Sequence, residues 1–337
     1  MPVRLPSVTP TRFLAIGRLA VFALGLIIVT GATVRLTGSG LGCTNWPLCT
    51  DGRPLPAMSL HPMVEFVNRL ITGFVSLAVI VAVLGARRRI PFRRDLVRWS
   101  WGLVSGVVAQ IVIGAFVTLS DLKYSVVALH FLVSMVLVWA AVHLTQLAAQ
   151  DVEPRHGGTK GLRSGVGVRP DWRARVLPLL GAAVLVSGSV VTSVGKHPGA
   201  RVDGNGVEHV VKRLPFDLGQ TTRVHSVLVW LLCFTALSVA WSHRGTAGRI
   251  AASSRLLLIV IVTQGALGYT QYHTGVPPLL VVFHVAFATV VWVMTLRVAH
   301  DLTLDDATCP SGVTAGRAGD TSVSEGAPVA GRGRVAS

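Results

Sequence analysis

Charge is scarce in this chain. Only 14% of its 337 residues are charged, against roughly 25% in ordinary soluble domains, which excludes a conventional water-exposed surface over most of its length. Acidic residues are scarcer still, 15 against 31 lysines and arginines for a net charge of +16. No aromatic-interleaved basic patch accompanies that excess, so nucleic acid is not its expected partner. Cysteine is limited to four residues without a Cys-x-x-Cys spacing, which argues against a thioredoxin-like centre.

Long apolar runs are abundant. Half the residues are hydrophobic, 51%, and they gather into eight blocks: Phe13–Val34, Pro62–Ala86, Trp99–Leu119, Ser125–Ala148, Ala174–Val194, Thr221–Ser242, Ser254–Tyr272 and Pro277–His300. Each approaches the length of about 20 residues that a helix needs to cross a bilayer. The expected fold is an all-α polytopic membrane protein whose solvent is largely lipid.

Arginine and lysine cluster between spans two and three (Arg87, Arg88, Arg89, Arg93, Arg94, Arg98), four and five (Arg155 to Arg175) and six and seven (Arg244, Arg249, Arg255). The positive-inside rule puts those loops, and with them both termini, in the cytoplasm. The opposite loops are poorer in basic residues; Lys196, Arg201, Lys212, Arg213 and Arg223 in the fifth-to-sixth connection are accompanied by Asp203, Glu208 and Asp217. The first span lacks a nearby small-residue cleavage site and reads as a retained helix, and nothing before Phe13 resembles an Arg-rich, Ser-rich transit peptide. A bacterial plasma membrane is the expected location. Beyond His300 the composition turns to Gly, Ala, Ser, Thr and Asp without apolar period, as expected of a disordered cytoplasmic tail over 301–337.

An internal repeat organises the spans. An offset of 157 residues carries Val29-Thr-Gly-Ala-Thr-Val34 onto Val186-Ser-Gly-Ser-Val-Val191, Gly38 and Gly42 onto Gly195 and Gly199, and Asn68 onto His225. An offset of 154 carries Gln110, Gly114 and His130 onto Gln264, Gly268 and His284. Two four-helix halves in tandem, 13–148 and 174–300, with a cytoplasmic N-terminus over 1–12 and a basic linker over 149–173, are the expected organisation. Four spans separate the copies, so both halves have the same orientation, unlike inverted transporter repeats.

Polar residues inside spans are costly and mark function by default. Glu65, Asn68 and Arg69 lie in span two, His130 in span four, His225 in span six and His284 in span eight, each early in a helix entering from the external side. His225 and His284 suit two axial ligands of a haem iron between helices. Zinc would want further nitrogen, sulfur or carboxylate ligands nearby, which the interior of that half lacks. Glu65 has two readings, a carboxylate that accepts a proton and an i, i+4 partner of Arg69. Cys43 and Cys49 share the first external loop, where an oxidising compartment permits a disulfide staple; Cys233 and Cys309 have no evident partner.

These residues resemble the haem A synthases. The resemblance covers about Phe13 to His300: eight spans in two halves, a Glu-x-x-His-Arg motif at helix two, histidines on helices four, six and eight, and a cysteine pair in the first external loop. Gln264-Gly-Ala-Leu-Gly-Tyr269 and Asp121 to His130 are similar to the family's seventh helix and third-to-fourth connection, and Gly195-Lys-His-Pro-Gly199 to its external Pro-His-Ala-Gly loop. The resemblance implies oxidation of a ring methyl of haem O to the formyl group of haem A for terminal cytochrome oxidase. It further implies a haem B held by His225 and His284, substrate haem near His130 and Glu65, and contact with the haem O synthase and an electron donor.

The chain departs from the pattern in two places. The fifth-to-sixth loop has no cysteine pair, and the motif reads Glu65-Phe-Val-Asn68-Arg69. Asparagine is a poor iron ligand, so His130 is expected to be the sole protein ligand of the substrate haem, with the sixth position open. His61 shares a helix face with position 68 but stands about 10.5 Å along the axis; it is expected to serve a propionate or a helix start. Two other classes use some of the same residues: an electron-passing membrane cytochrome b, which should ligate both haems symmetrically, and a quinone-linked thiol oxidoreductase using Cys43 and Cys49. Reporter fusions after Arg94, Arg163 and Arg249 are expected to read as cytoplasmic and one near Asp203 as external; an external signal at any of the first three overturns the orientation.

Overall fold

The structure, a computed structural model, describes residues 7–43, 46, 49, 55–56, 58–152, 171–197, 199, 207, 211–246 and 248–306. Among them are eight α-helices: α1 (Pro10–Leu36), α2 (Leu60–Arg88), α3 (Arg94–Leu119), α4 (Tyr124–Ala149), α5 (Arg173–Val194), α6 (Leu218–Ser242), α7 (Arg249–His273) and α8 (Pro278–Asp306). All eight are long and apolar enough to cross a membrane, as the hydropathy blocks predict. Most of the basic linker and everything beyond Asp306 lie outside the described residues.

The helices outrun the apolar blocks, chiefly at the arginine-rich end: α3 begins at Arg94, α7 at Arg249, and α8 continues past His300. Arginine is a good helix former whose long stem stays in apolar surroundings while its head reaches the interface. Local signals set some ends. Thr9 caps α1 by accepting from the Arg12 amide at 3.3 Å, with Pro10 in the first turn, and Asp217 caps α6 by accepting from the Gln220 amide at 2.8 Å.

Neighbouring helices contact in the cyclic order α1–α2–α3–α4–α1, and again as α5–α6–α7–α8–α5. The two sets meet along a seam where α1 touches α8, α4 touches α5, and α4 touches α8. Exchanging the halves exchanges the first two contacts and maps the third onto itself, the pattern of parallel repeats about an axis along the membrane normal. In lipid this seam gains nothing from hiding oil from water, so close packing and hydrogen bonds hold it. Trp292 Nε1 of α8 donates to the Met135 carbonyl of α4 at 3.0 Å, and Gln146 Nε2 donates to the Leu296 carbonyl at 3.2 Å. Gly181 is what admits Trp292, since a Cβ there would stand 2.9 Å from the indole.

The packed core lies toward the arginine-rich end. On the even-numbered helices the buried apolar clusters begin at Val75, Met135, Leu232 and Val291, roughly one and a half to two turns beyond Asn68, His130, His225 and His284. Those four residues therefore precede the fully buried part of each even-numbered helix. The opposite, disulfide-bearing end is closed by polar contacts. Arg35 Nη2 and Arg213 Nη2 both donate to the Thr192 carbonyl, at 2.8 and 2.6 Å. They satisfy the exposed carbonyl end of α5 with positive charge. The Gly40 amide donates to the Gly199 carbonyl at 2.9 Å, and Leu41, Leu122 and Val211 plug the space beneath.

At the arginine-rich end one carboxylate gathers two guanidiniums. Asp151 pairs with Arg89 at 2.5 Å and Arg93 at 2.7 Å, and the Arg89 side chain is 0% exposed. Its hydrogen bond with Asp95 holds the Arg93 guanidinium above its usual range, reinforced by Asp151. Removing one partner of a buried charge costs more than the pair contributes. Asp151→Asn is expected to lower stability by about 1–3 kcal/mol, read as a lower unfolding midpoint in detergent; an unchanged midpoint would show that Arg89 is satisfied without it.

Candidate functional site

His225 projects from the second turn of α6 toward α5. Ser187 Oγ donates to the Val184 carbonyl at 3.0 Å, and a hydroxyl has a single proton to give. Ser187 Oγ also lies 2.9 Å from His225 Nδ1; with the hydroxyl proton on the Val184 carbonyl, that contact carries the histidine's proton and Nε2 keeps its lone pair.

His284 on α8 belongs to the same four-helix set as His225, α6 and α8 each packing against α5 and α7. Its main chain is anchored by Gln264 of α7, whose Nε2 donates to the His284 carbonyl at 2.9 Å. Both rings lie flat on glycine. A Cβ at Gly188 or Gly268 would stand 3.1 Å from Cε1 of His225 or His284 respectively. Buried His284 Nδ1 has no hydrogen-bond partner among the described residues. One imidazole bonded to Ser187 and one with a buried, unpartnered Nδ1, each held against a glycine of a neighbouring helix, fit the donor set of a haem iron.

The N-terminal half repeats this frame with one substitution. Gln110 Nε2 donates to the His130 carbonyl at 2.9 Å, Gly114 lies 3.4 Å from His130 Cε1 by the same measure, and His130 Nδ1 is again buried without a partner. Thr30 stands at the repeat position of Ser187 and hydrogen-bonds the residue that replaces His225, donating to Asn68 Oδ1 at 2.8 Å. Asparagine is shorter than histidine, and a Cβ at Gly31 would meet nothing within 4 Å. A cavity of about 330 Å³ opens there, lined by Thr30, Thr33, Met63, Val64, Val67 and Asn68 with further apolar residues.

Glu65 is 6% exposed and both its oxygens are taken. Oε2 accepts the Cys43 amide at 2.9 Å and Oε1 accepts Arg69 Nη2 at 2.6 Å. The carboxylate thus holds the first loop onto α2, where Cys43 and Cys49 form a disulfide. Those cysteines are 0% and 1% exposed, which suits a staple better than a redox centre that must meet a partner. Gly42 lets the loop lie directly on the His61 main chain. His61, in the first turn of α2, contacts Ser39 Oγ through Nδ1 at 3.0 Å and so belongs to the same docking.

The structure therefore brings His225 together with Ser187, Asn68 with Thr30, and Glu65 with the stapled loop and Arg69. No hydrogen bond joins Glu65, Asn68 and His130 to one another among the described residues. Sequence reasoning used Gln110 and Gln264 only as repeat markers and missed Ser187 and Thr30. The signal for both was the 157-residue offset, which pairs the hydroxyls as it pairs Asn68 with His225.

Comparison with known proteins gives a match to the family COX15-CtaA, described as cytochrome oxidase assembly protein, over residues 15–296. Among similar curated proteins, the heme A synthase of Lysinibacillus sphaericus is 28% identical over 167 residues, 49% of this chain and 53% of that protein. That of Alkalihalophilus pseudofirmus is 31% identical over 128 residues, 37% of this chain and 43% of that protein. That of Shouchella clausii is 33% identical over 135 residues, covering 39% and 44%. The chain thus spans about half the length of the curated relatives it matches.

Proposed function

Because the chain belongs to the COX15-CtaA family of cytochrome oxidase assembly proteins, we propose that it is a haem A synthase. In this reading it oxidises a ring methyl of haem O to the formyl group of haem A for a terminal cytochrome oxidase. Its relatives bear that name. The observation that carries the reading is the doubled frame with unequal contents: Ser187–His225 facing His284 in one half, Thr30–Asn68 with His130 in the other. A protein that only passed electrons would have no use for the inequality.

In this reading His225 and His284 hold a haem B, and haem O binds in the N-terminal half through His130. Turning a methyl into a formyl group removes four electrons and adds one oxygen, beyond the redox capacity of any side chain here. Haem B supplies one-electron chemistry when bound. The protein's own contribution is positional. Ser187 fixes the His225 tautomer, Gln264 and Gln110 hold the main chain at His284 and His130, and the stapled loop roofs the N-terminal half. The disulfide end faces outward and the arginine-rich end the cytoplasm of a bacterial plasma membrane, with a haem O synthase and an electron donor as partners.

Glu65 keeps its proposed role as the carboxylate that accepts a proton or stabilises positive charge developing at the methyl carbon. A second reading has a specific observation behind it: with both oxygens engaged by Cys43 and Arg69, Glu65 serves as the pin of the loop. Glu65→Gln separates the two. Proton transfer predicts bound haem O with formyl product reduced about 10²–10⁴-fold; the pin predicts a loss of about 1–2 kcal/mol in stability with conversion near normal.

For the haem B site, His225→Ala and His284→Ala are each expected to abolish the low-spin haem spectrum of inserted protein. Ser187→Ala should weaken haem retention about 10- to 100-fold, as loss of a ligand's orienting partner does. Wild-type haem content and spectrum in both histidine variants would refute the ligand assignment.

A further inference from the structure

Resting on the reading of the N-terminal half as the haem O site held through His130, we infer that the Thr30–Asn68 pair, with the α1–α2 cavity it lines, builds a pocket for one small neutral ligand of that haem, water or a diatomic. Asn68 then hydrogen-bonds that ligand instead of coordinating iron itself. The inference starts from what the repeat keeps and what it changes. The hydroxyl on the first helix of each half is kept, Thr30 for Ser187, and it still contacts position 68 or 225, at 2.8 and 2.9 Å respectively. The glycine beside it is kept as well, Gly31 for Gly188. Only the side chain between them is shortened.

The geometry follows that shortening. In the C-terminal half the imidazole fills the space over Gly188, at 3.1 Å from where a Cβ would be; over Gly31 that space is empty to 4 Å. The cavity of about 330 Å³ that Asn68 lines is many times the ~30 Å³ share of a water molecule in the liquid. Its other walls are Thr33, whose hydroxyl is committed to the Val29 carbonyl at 3.0 Å, and the apolar side chains of Leu60, Met63, Val64, Val67 and Ile71. No charged side chain lines it, so an anion has no counter-charge there and a neutral ligand is favoured.

Asn68 is also oriented. Thr30 Oγ stands 2.8 Å from Oδ1 and 3.2 Å from the Ile27 carbonyl; with its one proton on the nearer Oδ1, the Nδ2 amide, with two protons to give, is the end left for the ligand. An amide donor beside a vacant coordination position stabilises a ligand whose far atom carries partial negative charge. Thr30 is thereby a positioning residue: it sets which end of Asn68 the ligand meets.

The test uses the full-length protein in detergent, loaded with haem O, reduced, and exposed to carbon monoxide as the probe. The wild type should bind carbon monoxide at the haem O and not at the His225–His284 haem. Asn68→His should lower carbon monoxide affinity at least tenfold with haem O content unchanged, because Gly31 leaves room for the ring. Asn68→Leu should still bind, with the C–O stretch moved to higher wavenumber as the donor is lost; Thr30→Val should move it in the same direction by less. A haem O inert to carbon monoxide in the wild type, or the same C–O stretch in wild type and Asn68→Leu, would overturn the inference. His130→Ala keeps the two levels apart. If it retains haem O unchanged, the site reading itself fails; if it loses haem O while the wild type excludes carbon monoxide, only the pocket is wrong.

Discussion

A hydroxyl on the first helix of each half, facing a polar side chain on the second, is the contact from which the chemistry of this protein follows. Where the second residue is histidine, the hydroxyl contacts Nδ1, and in the proposed reading this leaves Nε2 to serve as a ligand. Where it is asparagine, the same hydroxyl holds an amide and leaves space. The backbone frame around them is nearly the same, down to the glutamine that grips the facing histidine's carbonyl at 2.9 Å in both halves. The two cradles differ chiefly in the side chain at position 68 or 225.

Such a contact needs helices held at fixed separation without a hydrophobic effect between them. The protein meets this by confining dense packing to the arginine-rich end and closing the other end with polar links. Trp292 against Gly181 and the Met135 carbonyl locks the seam deep in the bundle. Arg35 and Arg213 on the carbonyl end of α5, and Glu65 on the stapled loop, lock the rim. Between these layers the even-numbered helices carry their polar residues, ahead of the fully buried apolar positions of each helix. The asymmetry of the site is thus tolerated because neither lock depends on what occupies position 68.

Much of this was legible in the sequence. The eight spans follow from apolar run length, the halves from the two offsets, and the four polar positions from the cost of polarity in lipid. The Glu65–Arg69 pair followed from helical spacing and is present at 2.6 Å. Contacts that cross between distant helices were not legible. Serine and threonine recur through these spans and mostly bond their own helix, as Thr33, Ser193 and Thr235 do, so beyond the offset that pairs them, nothing in the sequence told Ser187 and Thr30 from the rest until the neighbouring helix was in place. The role of Glu65 in holding the Cys43 amide is hidden likewise, because it depends on a loop folding back onto α2. Arg89 looked like one of several interfacial arginines; its complete burial against Asp151 depends on the chain just past α2 meeting the chain just past α4.

The most direct measurement of the central claim is the pigment itself. Haem should be extracted from membranes of a host lacking its own haem A synthase, expressing this chain with a haem O synthase, and resolved by chromatography and mass. The account predicts haem A, formed at the expense of haem O and absent when either protein is omitted. Accumulation of haem O alone, in cells where the chain is inserted and carries its low-spin haem, would contradict it.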